Sequence, residues 1–117
     1  MKILVTDDSI IVRNQIVNHL KNLGHELVEA VNGKEACEKV ADESFDLIIM
    51  DINMPVMSGL EAIKKILPEY NVPVVVISAL SEDSSDLVDA ILAGASNYIH
   101  KPYDLEELVD IVNFFQD

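Results

Sequence analysis

The chain has 117 residues, half of them apolar, which is enough for one folded domain with a real core and too few for two. Its 21 acids against 8 bases give a formal net charge of −13, which argues against nucleic acid and anionic membrane as partners. The same charge suits a basic protein surface or a cation held near carboxylates, and part of it serves solubility.

The N-terminus passes from Met1-Lys2 straight into the apolar run Ile3-Leu4-Val5 and then Asp7-Asp8. That is too short and too soon acidic for a signal peptide or a membrane span, so a cytoplasmic chain is expected. A first strand is predicted over residues 2–6 and a first helix over 10–23. In that helix Val12, Ile16 and Leu20 recur at helical spacing, Ile10, Val17 and Leu23 broaden the buried stripe, and Arg13, Asn14 and Lys21 fall opposite. Gly24 closes it where a left-handed residue is wanted. Residues 26–30 alternate like a strand near a sheet edge, and Asn32 is a candidate cap for a helix over 34–41. The single cysteine, Cys37, lies in this helix and reads as a small packed thiol rather than a nucleophile, as suits a reducing compartment. Strands are predicted over 45–50 and 72–77, and the runs 47–50 and 74–77 within them do not alternate, so both are expected as central strands buried on two faces. Pro55, Ser58 and Gly59 break the chain before a helix over 60–67, which Pro68 ends. A fourth helix over 83–93 is followed by Gly94, then come a strand over 96–99 and a last helix over 105–115, with Asp104 and Glu107 at capping-box spacing. Strands and helices in regular alternation, with intervals too long for hairpins, predict an α/β sandwich around a parallel sheet.

Three of the apolar runs end at groups that belong in a charged pocket: Asp7-Asp8, Asp51 and Lys101-Pro102. In a parallel sheet these ends share one edge, where clustered carboxylates are costly unless a cation neutralises them. The pattern therefore predicts a divalent metal, and a lysine that meets either Asp51 or a second anion such as a phosphoryl oxygen. Magnesium suits an oxygen donor set, whereas His19, His25 and His100 lack ligand spacing for zinc. Ser78 adds a hydroxyl at the same edge. The plainer alternatives are that one acid merely caps the first helix and that Lys101 is an ordinary surface residue. No glycine-rich phosphate cradle is present, which counts against nucleotide binding, and no Ser-His-Asp arrangement is recognisable.

Asp7-Asp8, the stretch Asp51-Ile52-Asn53-Met54-Pro55-Val56-Met57-Ser58-Gly59, Ser78-Ala79, Gly94-Ala95 and Lys101-Pro102-Tyr103, in this order, resemble a bacterial two-component response-regulator receiver domain along the whole chain, residues 1–117. The resemblance implies a three-layer, flavodoxin-like fold with a five-stranded parallel sheet in order 2-1-3-4-5. It implies Asp51 as phosphoacceptor, with Mg2+ held by the carboxylates of Asp8 and Asp51, the backbone carbonyl of Asn53 and, through water, Asp7. Lys101 would contact the phosphoryl group and precede a cis bond to Pro102. Ser78 would hydrogen-bond a phosphoryl oxygen, and Tyr98 would be the aromatic switch, its plainer alternative being an amphipathic aromatic at the sheet edge. Such a domain catalyses its own phosphotransfer and dephosphorylation and acts on no separate substrate.

The partners implied are a sensor histidine kinase or phosphotransfer protein and a downstream effector with a basic surface, with neither nucleic acid nor membrane bound directly. Leu80 stands where many relatives carry a polar group near the hydrolytic water. Glu82, Asp83, Asp86, Asp89, Glu106, Glu107 and Asp110 make the face of the fourth helix, fifth strand and fifth helix acidic, which weighs against dimerisation there and leaves a monomer or weak dimer expected. No helix-turn-helix follows the fifth helix, so the chain is either a stand-alone, chemotaxis-like regulator or a domain of a longer one. Two alternatives compete. A magnesium-dependent phosphohydrolase would want an acid two residues after Asp51, where Asn53 stands, and a cap domain. A degenerate receiver would serve as scaffold only.

Overall fold

The computed structural model describes residues 1–79 and 84–116. Five strands, β1 (Lys2–Thr6), β2 (Glu26–Ala30), β3 (Leu47–Asp51), β4 (Val74–Ser78) and β5 (Asn97–His100), alternate with helices α1 (Ile10–Asn22), α2 (Gly33–Asp42), α3 (Gly59–Ile66), α4 (Ser85–Leu92) and α5 (Leu105–Gln116). The strands form one parallel sheet in order β2-β1-β3-β4-β5. This is the flavodoxin-like α/β arrangement, with one apolar cluster on each face of the sheet. Every residue of β3 and β4 is buried, as unbroken apolar runs require of strands covered on both sides. β2, in which only Ala30 is buried, lies at the edge; the alternation expected over 26–30 does not show in its burial.

The pairing sets where the strands stop, and hence where the site forms. Thr6 sits beside Met50, and Asp51 beside Ile77, so Asp7 and Asp51 emerge from adjacent strands at one edge. Against the sequence reading, β3 and β4 begin two residues later, at Leu47 and Val74, and end one later, at Asp51 and Ser78. The cause lies in the partner strands, because a run of apolar residues becomes a strand only where a neighbour supplies its hydrogen bonds.

Helix ends follow local chemistry. Ser9, Asn32, Ser58 and Asp104 each accept a hydrogen bond from a backbone N–H three residues on. Gly24 and Gly94 take positive φ, 94° and 114°, just past the ends of α1 and α4. The expected stripe of α1 needs correction: Ile16 and Leu20 are buried, but Ile10 and Leu23 are exposed, and Arg13, placed on the outer side by the sequence reading, is buried. Ile10 is the first residue of α1 and Leu23 its C-cap, so both sit at the ends of the helix. Arg13 instead shares a face with Ile16 and Leu20 at helical spacing and finds acceptors there. The beginning predicted for α4, residue 83, lies outside the described residues.

Candidate functional site

β1 carries the chain directly into Asp7, whose polar atoms are almost all committed. Its N–H donates to the Ala30 carbonyl at 3.2 Å, its carbonyl accepts from Arg13 Nη1 at 2.8 Å, and its Oδ1 accepts from the Ser9 N–H at 2.9 Å. Oδ2 is buried with no hydrogen-bond partner. Ser9 rather than either acid caps α1. Asp8 is exposed, while Asp7 and Asp51 are buried. One carboxylate oxygen from each of Asp7, Asp8 and Asp51 lies within 4.8 Å of the others.

Lys101 reaches this cluster from the far side of the sheet. Its Nζ stands 3.4 Å from Asp51 Oδ2 and 3.7 Å from Asp7 Oδ2. Its backbone N–H donates to the Ser78 carbonyl at 2.8 Å, which ties it to the end of β4, and the Lys101–Pro102 bond is cis. One ammonium against three carboxylates leaves the cluster net negative. The Asp51 carboxyl accordingly rises from the ordinary 3.8 to about 6, first because it is buried and next because of the Asp7 charge. Lys101 and a hydrogen bond from the Asn53 backbone oppose the rise without cancelling it. The Tyr103 hydroxyl is pushed up to about 12 by burial and then by the charges of Asp7 and Asp51. Tyr103 thus belongs to the electrostatic surroundings of the site, a role the sequence reading missed; its position right after Lys101-Pro102 was the available signal.

The loop after Asp51 is shaped by close backbone packing. A Cβ on Gly59 would overlap the Asp51 carbonyl, and the Gly59 N–H donates to the Ile52 carbonyl at 2.9 Å. A Cβ on Gly33 would come within 2.7 Å of the Met57 and Ser58 carbonyls. Between these contacts Val56 adopts φ 69°, rare for a β-branched residue, at the centre of a tight turn closed by Met57 N–H to Pro55 O at 2.7 Å. Asn53 is exposed at the start of this loop. Ser78 is buried at the end of β4, and Tyr98 is half-buried on β5 beside Val76. Leu80, Glu82 and Asp83 lie outside the described residues, whereas Asp86, Asp89, Glu106, Glu107 and Asp110 are all exposed.

The model of the response regulator receiver domain matches residues 3–113, and the chain belongs to that family. It is 39% identical to the transcriptional regulatory protein CrdR of Helicobacter pylori, covering 99% of this chain and 55% of that protein. It is 35% identical to the chemotaxis protein CheY of Thermotoga maritima over 96% of this chain and 94% of that one. The chain thus spans about half the length of CrdR and nearly all of CheY. Among solved structures it superposes on a two-component response regulator from Clostridium difficile with a TM-score of 0.92 at 28% identity, covering 98% of this chain and 94% of that one. The response regulator TrrA of Thermotoga maritima, solved in complex with Mg2+-BeF, gives 0.85 at 34% identity over 97% of each chain.

The acidic cluster and the family together support phosphorylation-based signalling. The donors fit a hard divalent cation: all are oxygens, they carry more negative charge than Lys101 offsets, and one of them is a buried oxygen without a hydrogen bond. Among the described residues no helix is long and apolar enough to cross a membrane.

Proposed function

We propose that the chain, as a single receiver domain over residues 1–117, takes a phosphoryl group onto Asp51 and passes the change to a protein partner. The observation that carries this is the placement of Asp51: buried at a strand end, crowded by Asp7 and faced by Lys101 at 3.4 Å. An Asp51 oxygen attacks phosphorus, the bond from phosphorus to the donor's histidine nitrogen breaks, and the imidazole leaves with a proton from solvent. Lys101 meets the negative oxygens of the transferring group, and Ser78 donates its hydroxyl to one of them. Asp8, Asp51 and the Asn53 carbonyl would hold magnesium, with Asp7 acting through water; when bound, the ion offsets charge developing on the phosphoryl oxygens. TrrA, similar at 34% identity, was solved in complex with Mg2+-BeF, which supports magnesium as the cation.

The phosphoryl donor is a sensor histidine kinase or phosphotransfer protein. Output runs through α4, β5 and α5. New negative charge at Asp51 draws Ser78 and Lys101 inward, Tyr98 fills the space vacated, and the exposed acidic side chains of α4 and α5 present an altered surface to a basic partner. Hydrolysis of the acyl phosphate, which the domain itself promotes, resets it in the cytoplasm.

The test is incubation with acetyl phosphate and magnesium, read by intact mass. The native chain should gain one phosphoryl group and Asp51→Asn none. An adduct retained in Asp51→Asn places the acceptor elsewhere and overturns the assignment.

A further inference from the structure

Arg13 is a charge held where charges are expensive. Its side chain is only 11% exposed, and its two hydrogen bonds reach different strands: Nη1 to the Asp7 carbonyl at 2.8 Å, and Nε to Glu29 Oε1 at 2.9 Å. Glu29 belongs to the edge strand β2, so one guanidinium ties α1, the end of β1 and β2 together. Glu29 neutralises Arg13, which weakens any field Arg13 could exert on the carboxylates beyond it. What remains is geometry. With its N–H on Ala30, its Oδ1 on Ser9 and its carbonyl on Arg13, Asp7 has one uncommitted polar atom, the buried Oδ2 that faces Lys101.

We propose that Arg13 is a positioning residue for the cation site. By fixing the Asp7 carbonyl it holds the turn that carries Asp7 and Asp8, so that their carboxylates already face Asp51 before a cation arrives. This rests on reading the acidic cluster as a magnesium site. The planar fork matters: a lysine keeps the charge, but its compact head does not span the Asp7 carbonyl and Glu29 together.

Two physical effects give opposite signs, which makes the role testable. Removing a positive charge near an acidic cluster tightens cation binding on electrostatic grounds alone. Losing the support of a ligand-bearing turn weakens it, by about tenfold for partners of this kind. Magnesium is titrated into the whole chain while the amide chemical shifts of residues 7–9 and 51–53 are followed, and the melting temperature is measured in parallel. Arg13→Met should raise the magnesium Kd about tenfold, and Arg13→Lys should raise it by less, both measured well below their melting points. An unchanged or lowered Kd, even with a reduced melting temperature, means that Arg13 only stabilises the fold and overturns the proposal. If Arg13→Met does not fold, Arg13→Lys decides by the same criterion. A wild-type chain whose shifts do not respond to magnesium overturns the cation-site reading itself, and this inference with it; a wild-type response with unmoved variants overturns the Arg13 role alone.

Discussion

The two ends of the sheet carry similar numbers of charges and treat them in opposite ways. At the end where the strands begin, Lys2 meets Glu43 at 2.6 Å and Glu26 at 3.7 Å, its backbone N–H donates to Asp46, and its ammonium lies 5.6 Å from the centre of the Phe45 ring. Each charge there has a near partner and access to water. At the end where the strands finish, Asp7 and Asp51 are buried together, Asp8 stands beside them, and Lys101 approaches no closer than 3.4 Å. The first end has settled its electrostatics and the second has not. Packing that leaves like charges buried and under-neutralised stores a demand for a cation, and a demand for a cation is what a phosphoryl-transfer site uses.

The difference can be broken most severely through Gly59. A methyl group there would overlap the Asp51 carbonyl, in backbone that has no room to yield. Gly59→Ala should therefore cost about 3 kcal/mol of stability in urea unfolding, with the surviving folded protein also binding magnesium more weakly. Full stability in this variant would mean that the loop after Asp51 relaxes easily and that close packing does not hold the site.

A smaller effect follows from the charge itself. The folded chain holds the Asp51 proton more tightly than the unfolded chain, with the carboxyl raised from 3.8 to about 6. Its favourable contribution is therefore complete below about pH 4 and is lost as pH rises through 6. The full shift corresponds to about 3 kcal/mol, reduced to about 2 by solvent screening at the mouth of the site. Asp51→Asn should then be about 2 kcal/mol more stable than wild type at pH 7.5, with the two curves meeting near pH 4. A variant less stable than wild type at pH 7.5 would show that the bond from Lys101 outweighs burial and repulsion. Magnesium acts on the same strain in wild type: at ten times its Kd it should add about 1.4 kcal/mol at pH 7.5 and less at pH 5, where protons compete. Asp8→Asn should shrink that gain, and an equal gain in the variant would remove Asp8 from the ligand set.

Much of this contrast was legible in the chain itself. The unbroken runs of β3 and β4 announced buried parallel strands, and acids or a lysine directly after such runs announced a charged edge, because in a parallel sheet all strand ends of one kind share a side. What local pattern could not carry depends on distant partners. Arg13 reads as an outward charge until Asp7 and Glu29 are seen to meet it, one from the end of β1 and one from β2. Ile10 reads as core, yet at the first position of α1 it stands exposed. The part Tyr103 plays in the field of the site needs the positions of Asp7 and Asp51, nearly a chain length and half a chain length away.

The smallest expected effect sharpens the comparison from the quiet end. The Lys2 ammonium pairs with two acids, Glu43 and Glu26, but the ends of these side chains keep contact with water, where ion pairs gain little over hydration. Lys2→Met also keeps most of the apolar stem that lies against Phe45. The variant should melt within a few degrees of wild type, and its magnesium titration should superpose on the wild-type curve, since the sheet separates the two clusters. Rising salt should erase the difference in melting temperature, because exposed pairs are screened over about 10 Å at 0.1 M. If Lys2→Met instead shifted the magnesium midpoint, charge at one end of the sheet would be felt at the other. The Asp51 environment would then owe its raised carboxyl to the overall charge of −13 as well as to burial and the neighbouring Asp7.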